Sequence, residues 1–250
     1  MARVIGHRGV SAIAPENTLA AFRACRENGV RWFEFDVGLI SDGTAVVIHD
    51  DTLDRTTDAT GPVAVLTGPD LATIDAGAWF GPEFAGERIP TLRQVLELMN
   101  ELQLDANLEI KPGPDHSLLV ATIMTELERL DPARHVIISS FDPRILQRVK
   151  CALPRWRAHE GRATLELAFL FEKPTMEKAW RVLGKATGSV ALHPSGKALT
   201  AAKVATYTSA GYAVRPWTVN DVGQALELAS WGVDSVFSDN PHLFPEDWRQ

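Results

Sequence analysis

Short apolar runs alternate with longer stretches of mixed polarity along most of the chain. The first run covers residues 3–7, and in the stretch that follows, residues 17–28, Leu19, Phe22 and Cys25 recur at helical spacing. A short apolar run bounded by turn residues is typical of a buried strand, whereas a period of about 3.6 residues is typical of an amphipathic helix. The pattern predicts a strand followed by a helix, and this strand–helix pair is repeated along the chain up to its C-terminal end.

About eight strands are predicted in this way. They cover residues 3–7, 31–37, 106–110, 136–139, 167–171, 189–192, 213–217 and 235–238, with residues 45–49 as a partner strand after an Asp42-Gly43 turn. Predicted helices cover residues 17–28, 91–101, 118–130, 143–151, 176–183, 200–210 and 222–231. Such alternation predicts a parallel sheet with helices outside it, and eight strands fit a closed barrel better than an open sheet. The predicted fold class is therefore α/β, a (β/α)8 TIM-type barrel.

One segment, residues 51–104, breaks this rhythm. It is far longer than an ordinary connection and contains turn signals such as Gly68-Pro69 and Gly81-Pro82. A connection of this length in a compact domain is usually functional. We interpret it as a small insertion, folded over the barrel mouth, within a single domain that covers residues 1–250.

Composition narrows the class of protein. The chain has 250 residues, of which 45% are hydrophobic, and a net charge of -7, which argues against sequence-independent nucleic-acid binding. No apolar run approaches the roughly 18 residues of a membrane span, and no charged leader precedes an apolar core at the start. Cys25 and Cys151 are interpreted as reduced thiols. We expect a cytoplasmic protein with no nucleic-acid partner and no stable membrane association; the sequence leaves the oligomeric state open.

Three carboxylates fall at the ends of predicted strands, where barrels of this kind carry their chemistry. Glu34 and Asp36 are two residues apart on one strand, so both side chains point to the same face. Glu109 ends the next barrel strand and can supply a third oxygen ligand. Mg²⁺ and Ca²⁺ suit such a group. The alternative is a buried ion network in which the acids pair with Arg8 and Lys111.

Two histidines, His7 and His49, also end predicted strands. Histidine exchanges protons near neutral pH, and cleavage of an ester such as a phosphodiester needs one group to assist the nucleophile and another to protonate the leaving alkoxide. The pair therefore indicates acid–base catalysis. A structural role for each histidine and ligation of zinc are the alternatives, and the three carboxylates favour a hard metal over zinc.

Arg8 and Lys111 are the only cations expected in this pocket. Arginine matches phosphate oxygens in a bidentate fork and lysine acts as a point charge, so both can offset charge on the phosphorus oxygens in the transition state. Trp217 ends another strand and forms either a wall for the substrate's alcohol group or part of the core. Asn17 is a candidate N-cap of the first helix, and Glu16 is expected to hold the adjacent loop.

These residues together resemble the glycerophosphodiester phosphodiesterase family, especially its small bacterial cytosolic members. The matching pieces run in the family's order over nearly the whole chain, and the ordered set is far more specific than any single piece. They include His7-Arg8-Gly9, Pro15-Glu16-Asn17-Thr18, Glu34-Phe35-Asp36, the run from His49 to Thr57, Asp75-Ala76-Gly77, Asn107-Leu108-Glu109-Ile110-Lys111 and Trp217-Thr218-Val219-Asn220. The chain departs from the family's usual residues at Gly38, Asp58-Ala59 and Ser238. None of these departures removes a catalytic group; Gly38 and Asp58-Ala59 bear on the shape of the barrel rim and on the preferred head group.

The resemblance implies a distorted barrel with a small insertion after the second strand. It also implies one divalent cation, Mg²⁺ or Ca²⁺ with Mn²⁺ as a further option, held by Glu34, Asp36 and Glu109. His7 and His49 would be the acid–base pair. Arg8 and Lys111 would bind the phosphate group. The implied reaction converts glycerophosphocholine or glycerophosphoethanolamine to an alcohol and sn-glycerol 3-phosphate.

Three other functions are weighed against this one. A lysophospholipid-cleaving phosphodiesterase would need an apolar cleft, to which Trp79, Phe80 and Phe84 could contribute. A non-catalytic module that binds phosphate esters would not need both histidines. A glycosidase also uses paired carboxylates on barrel strands, but it has no evident need for Arg8 and Lys111 beside them.

Overall fold

The computed structural model describes residues 2–172 and 174–250, and over this part of the chain eight parallel strands form a nearly closed barrel. The strands, numbered in chain order, are β1 (Arg3–Gly6), β2 (Trp32–Leu39), β3 (Ala45–Val47), β4 (Asp105–Ile110), β5 (His135–Ser140), β6 (Thr164–Phe171), β7 (Ala191–Pro194), β8 (Ala213–Val214) and β9 (Ser235–Ser238). Their order around the barrel is β8-β7-β6-β5-β4-β2-β1-β9, and β3 pairs antiparallel with β2. The predicted (β/α)8 TIM-type barrel is confirmed.

Helices surround the barrel. They are α1 (Leu19–Glu27), α2 (Leu92–Leu102), α3 (His116–Leu127), α4 (Pro143–Arg157), α5 (Pro174–Lys178), α6 (Trp180–Thr187), α7 (Ala201–Ser209) and α8 (Val222–Ser230). Because strand side chains alternate between the two faces of a sheet, Phe33 and Phe35 of β2 point outwards and pack against Phe22 of α1. The same alternation turns Glu34 and Asp36 into the barrel.

The barrel closes between β8 and β9 along an irregular seam. Regular strand geometry in β8 ends at Val214, and Pro216, which has no N–H to donate, follows shortly after. The backbone nevertheless stays beside β9: Val214 O accepts from Asp234 N at 2.9 Å, and Pro216 O accepts from Phe237 N at 3.0 Å. The strand predicted over residues 213–217 is therefore shorter, but its extension completes the barrel.

Helix α1 begins one residue later than the N-cap prediction requires. The Thr18 hydroxyl accepts a hydrogen bond from Ala21 N at 3.3 Å and caps the helix. Asn17 has a left-handed φ of 58°, whereas an N-cap residue normally has an extended backbone, as Thr18 does. The prediction of Asn17 as N-cap is wrong, and its side chain contacts the carboxylate group described below.

The segment between β3 and α2 has its own hydrophobic cluster, which also includes residues that precede position 51. The cluster comprises Ile40, Val46, Ile48, Leu53, Val63, Leu66, Leu71, Ile74, Ala76 and Ile89. Helix α2, at the end of the segment, instead packs against α1 and α3 in the outer layer of the barrel. The domain boundaries given above for the insertion stay a prediction. No helix in the described ranges is both long and apolar enough to cross a bilayer.

A pair of glycines tests the packing of the loop after β1. Gly9 and Gly43 have similar φ values of 90° and 83°. A Cβ on Gly9 would lie 2.7 Å from the Cβ of Ala21 in α1, whereas a Cβ on Gly43 would meet nothing within 4 Å. We expect Gly43→Ala to lower the free energy of unfolding by about 1 kcal/mol, and Gly9→Ala by about 3 kcal/mol because steric overlap adds to the backbone cost. Urea unfolding measures both values, and equal losses would contradict the described packing.

Candidate active site

Side chains from six barrel strands and from the residues that follow β1, β3, β5 and β8 line one cavity at the C-terminal ends of the strands. The period-2 alternation places alternate residues of each strand on this inner face. The cavity is lined by His7, Arg8, Glu34, His49, Asn107, Glu109, Ser139, Phe141, Leu170, His193, Trp217 and Phe237. Six of the eight site residues named from the sequence line this cavity: His7, Arg8, Glu34, His49, Glu109 and Trp217. Of the other two, Asp36 belongs to the carboxylate group and Lys111 contacts it.

The three predicted carboxylates do converge. Parallel pairing of β2 with β4 sets Asp36 opposite Glu109, and one carboxylate oxygen from each of Glu34, Asp36 and Glu109 lies within 4.8 Å of the others. All three residues are buried. Burial, together with repulsion from the neighbouring acids, raises the pKa of Glu34 well above its ordinary value and that of Glu109 to about 8.

Two cations and an amide partly compensate this negative charge. Arg8 Nε lies 3.5 Å from Asp36 Oδ2, and Lys111 Nζ lies 3.6 Å from Glu109 Oε1 and 3.9 Å from Asp36 Oδ1. Asn17 binds Asp36 twice: its Nδ2 donates to Oδ2 at 2.9 Å, and its Oδ1 accepts from the Asp36 backbone N–H at 3.2 Å. The carboxylate group is therefore held in position, and its raised pKa values indicate that the compensation is incomplete.

A hard divalent cation fits this donor set. The donors are carboxylate oxygens only, they converge on one point, and the two with raised pKa values would be ionised by a positive ion between them. Arg8 and Lys111 lie beside the acids rather than between them in a tight ion pair, since none of their contacts to Asp36 or Glu109 is shorter than 3.5 Å. The group is thus suited to an ion more than to the buried ion network considered as an alternative.

His7 is held by an acid from the other end of the chain. Its Nδ1 lies 2.7 Å from Asp239 Oδ1, and its Nε2 lies 4.0 Å from Glu34 Oε2. Burial alone would raise the pKa of Asp239, but hydrogen bonds from His7, Asn220 and Ser11 outweigh it and lower that pKa to about 2. Asp239 is therefore ionised at neutral pH and orients the ring so that Nε2 is left for the cavity.

His49 reaches the same cavity from β3, which is not a barrel strand. The antiparallel pairing of β3 with β2 brings Ile48 N to Asp36 O at 3.2 Å, so the next residue lies beside the carboxylate group. Its Nδ1 lies 2.6 Å from Asp50 Oδ1. Burial lowers the pKa of His49, which favours the neutral ring at pH 7 with Nε2 available to accept a proton.

Trp217 forms part of the cavity wall. Its indole N–H donates to the backbone O of His193 at 3.0 Å, and its ring meets Phe141 edge to face with centroids 5.5 Å apart. Both aromatic residues line the cavity, which favours the wall over the core role considered from the sequence.

Several residues with a part in this site were missed or misjudged from the sequence. Arg55, in the segment after β3, does not line the cavity but donates to both oxygens of Glu16 and of Asp50 at 2.6–3.0 Å, so a further cation holds the partners of Arg8 and His49. Asp50 and Arg55 both belong to the His49–Thr57 run that carries the family resemblance, and this run could have indicated that they contribute to the site.

Asp239 was also not identified as a site residue from the sequence. It directly follows β9, and its position at a strand end next to β1 was the available signal. Its contact with His7 joins residues 232 positions apart, and only the order of strands around the closed barrel brings the two together.

Comparisons with known proteins agree with this geometry. The model of the Glycerophosphoryl diester phosphodiesterase family matches residues 7–243. A glycerophosphodiester phosphodiesterase of Caldanaerobacter subterraneus is 36% identical over 95% of this chain and 94% of its own length, and one of Bacillus altitudinis is 30% identical over 96% of each. The structure of an Oleispira antarctica phosphodiesterase in complex with the product sn-glycerol-3-phosphate is 33% identical, with a TM-score of 0.89, and the match covers 96% of this chain and 94% of that one. The chain therefore belongs to the glycerophosphoryl diester phosphodiesterase family, and it is an enzyme of the phosphoric diester hydrolase class.

Proposed function

We propose that this enzyme hydrolyses glycerophosphodiesters such as glycerophosphocholine and glycerophosphoethanolamine to an alcohol and sn-glycerol 3-phosphate, acting as a single domain with residues 51–104 as an insertion. The observation that carries the proposal is the set of three converging carboxylates flanked by two histidines in one cavity. The product named for the Oleispira antarctica structure supports the same substrate class. The proposed site of action is the cytoplasm.

A divalent cation, Mg²⁺ or Ca²⁺, is proposed to bind Glu34, Asp36 and Glu109. When bound, such an ion polarises phosphoryl oxygens and stabilises the charge that develops on them. Arg8 and Lys111 lie beside the three acids and are proposed to bind the non-bridging phosphate oxygens, with Arg8 fixed in direction by its 2.7 Å bond to Glu16.

The two histidines are proposed to move the protons. Each ring is oriented by a carboxylate on Nδ1, Asp239 for His7 and Asp50 for His49, so each Nε2 is free to exchange a proton with the substrate. One Nε2 removes the proton of the attacking nucleophile, and the other, in the imidazolium form, protonates the departing alkoxide. Trp217 is proposed to contact the bound substrate as an apolar wall.

A lysophospholipid is the second candidate substrate, and one observation favours it. A further cavity is lined by His49 and Lys111 and by the apolar residues Leu39, Ile40, Val63 and Leu118, among others. An apolar passage beside the catalytic residues could accept an acyl chain. Assays of choline release from glycerophosphocholine and from lysophosphatidylcholine separate the two substrate classes.

Metal removal tests the first proposal. We expect chelation to abolish choline release from glycerophosphocholine, because the site then lacks the positive charge that polarises the phosphoryl oxygens. Addition of Mg²⁺, Ca²⁺ or Mn²⁺ should restore the activity. Glu34→Gln should lower the activity in saturating metal by about a hundredfold or more, by analogy with the loss of one preorganised charge-stabilising group. Glu227→Gln, at an exposed position of α8, is the matched control. Full activity of the exhaustively chelated enzyme would contradict the proposal.

The pH dependence of stability tests the same site without turnover. The pKa of Glu109 is raised from 4.5 to about 8 in the folded state, so the metal-free native protein holds a proton more tightly than the unfolded chain. Its contribution to stability is complete below about pH 4.5 and is lost as the pH rises to about 8. Urea unfolding in chelator should therefore show this decline. Glu109→Gln should reduce it, with the raised pKa of Glu34 accounting for the remainder, and added Mg²⁺ should remove it. An unchanged slope in Glu109→Gln would show that the residue is not responsible.

Two alanine variants test the division of labour between the histidines. His7→Ala and His49→Ala should each lose about 10² to 10⁴-fold in hydrolysis of glycerophosphocholine. A nitrophenyl phosphodiester has a leaving group that departs without protonation, so only the variant that lacks the general acid should regain activity on it. His159→Ala, an exposed position, is the control. Rescue of both variants, or of neither, would show that the two roles are not divided in this way.

A further inference from the structure

His193 is a buried histidine to which the proposed reaction assigns no role. It lies on the inner face of β7, paired in register with Leu170, and its side chain lines the candidate active-site cavity. The residue has no exposed surface, and neither ring nitrogen has a hydrogen-bond partner among the described residues. One face of the ring is covered by Phe237, with ring centroids 5.0 Å apart. A buried polar side chain without partners costs free energy, so such a group normally serves a ligand or an ordered water.

The surroundings of His193 favour the neutral ring. Burial, with the charge of Arg215, lowers its pKa well below the ordinary value. A neutral imidazole presents one donor and one acceptor. The vacant hydrogen-bonding positions of His193 are therefore of both kinds, which suits an uncharged hydroxyl group better than a phosphate or a carboxylate.

A second unpaired polar atom lines the same cavity. The side chain of Asn107, on the inner face of β4, is almost fully buried, and its Nδ2 donates to Ser139 Oγ at 3.0 Å. Its Oδ1 has no partner in the described part of the chain. The bond to Ser139 fixes the amide so that the unpaired atom is an acceptor. The cavity thus has an additional acceptor for a hydroxyl hydrogen, on the strand residue that is paired in register with Glu34.

From these contacts we infer that His193 and Asn107 bind the free hydroxyl groups of the glycerol unit of the substrate and select glycerol esters over simple alkyl esters. The inference rests on the proposed function and specifies how its substrate class is recognised. A hydroxyl can donate to Asn107 Oδ1 or to the acceptor nitrogen of His193, and it can accept from the ring N–H. The neighbouring rings of Trp217 and Phe141 supply an apolar wall for the carbon chain between the hydroxyl groups.

Binding of two product analogues tests the inference. sn-Glycerol 3-phosphate and propyl phosphate share the phosphate and the three-carbon chain but differ in the two hydroxyl groups. Titration calorimetry with the Mg²⁺-loaded enzyme should show that the wild type prefers sn-glycerol 3-phosphate by about tenfold or more. Propyl phosphate lacks the two hydroxyl groups and therefore leaves buried polar groups of the protein unpaired. His193→Phe should lower this preference by roughly tenfold, and His193→Gln should retain part of it.

Asn107→Leu gives an independent measurement should His193→Phe fail to fold, and it should lower the same preference. Ser140→Ala is the control: the Ser140 hydroxyl, next along β5, donates to Ile110 O outside the cavity, so its loss should leave the preference unchanged. An unchanged preference in a folded His193→Phe or Asn107→Leu variant would overturn the inference and leave a buried water as the partner of these groups.

Turnover separates this inference from the proposed function. Failure of the wild-type enzyme to release choline from glycerophosphocholine in saturating metal would refute the proposed function. Normal wild-type release, together with a preference that neither cavity variant alters, would refute the assignment of His193 and Asn107 alone.

Discussion

Repulsion among three buried carboxylates is the constraint on which the rest of the site depends. Carboxylate oxygens of Glu34, Asp36 and Glu109 lie within 4.8 Å of one another, and all three residues are largely shielded from bulk water. Two full charges at about that distance repel by about 3 to 4 kcal/mol at an effective dielectric constant of about 20. A fold can keep such a group only if positive charge, hydrogen-bond donors or an ion compensates it. The side chains around the three acids have these properties.

The loop after β1 provides much of this compensation, and its backbone is shaped for the purpose. Arg8 and Asn17 both have left-handed φ values, 57° and 58°, which are uncommon in residues other than glycine. The bend at Arg8 lets its backbone N–H donate to Glu34 Oε2 at 2.9 Å while its guanidinium group lies beside Asp36. The bend at Asn17 aims both polar atoms of the amide at Asp36. Local strain is thus coupled to the carboxylate group, which explains why Asn17 does not cap the helix.

The sequence predicted those features that depend on local alternation. Once β2 was recognised as a strand, Glu34 and Asp36 had to share a face, and the parallel neighbour β4 had to bring Glu109 to the same end. Features that depend on closure were not predictable in this way. The bond from His7 to Asp239 requires β1 and β9 to be neighbours, and the irregular continuation of β8 past Pro216 has no periodic signal. Arg55 was not predicted because the sequence of a long connection does not indicate which of its side chains contact the barrel.

The two histidines present the same atom to the cavity but depend on different parts of the fold. The carboxylate that orients His49 is its neighbour in sequence, Asp50, which Arg55 in turn ties to Glu16. The carboxylate that orients His7 arrives through barrel closure. One histidine ring is therefore coupled to the segment after β3 and the other to the seam between the first and last strands. Because both rings also border the buried acids, the barrel, the inserted segment and the charge of the site are mutually dependent, and a change in one is expected to act on the others through these few hydrogen bonds.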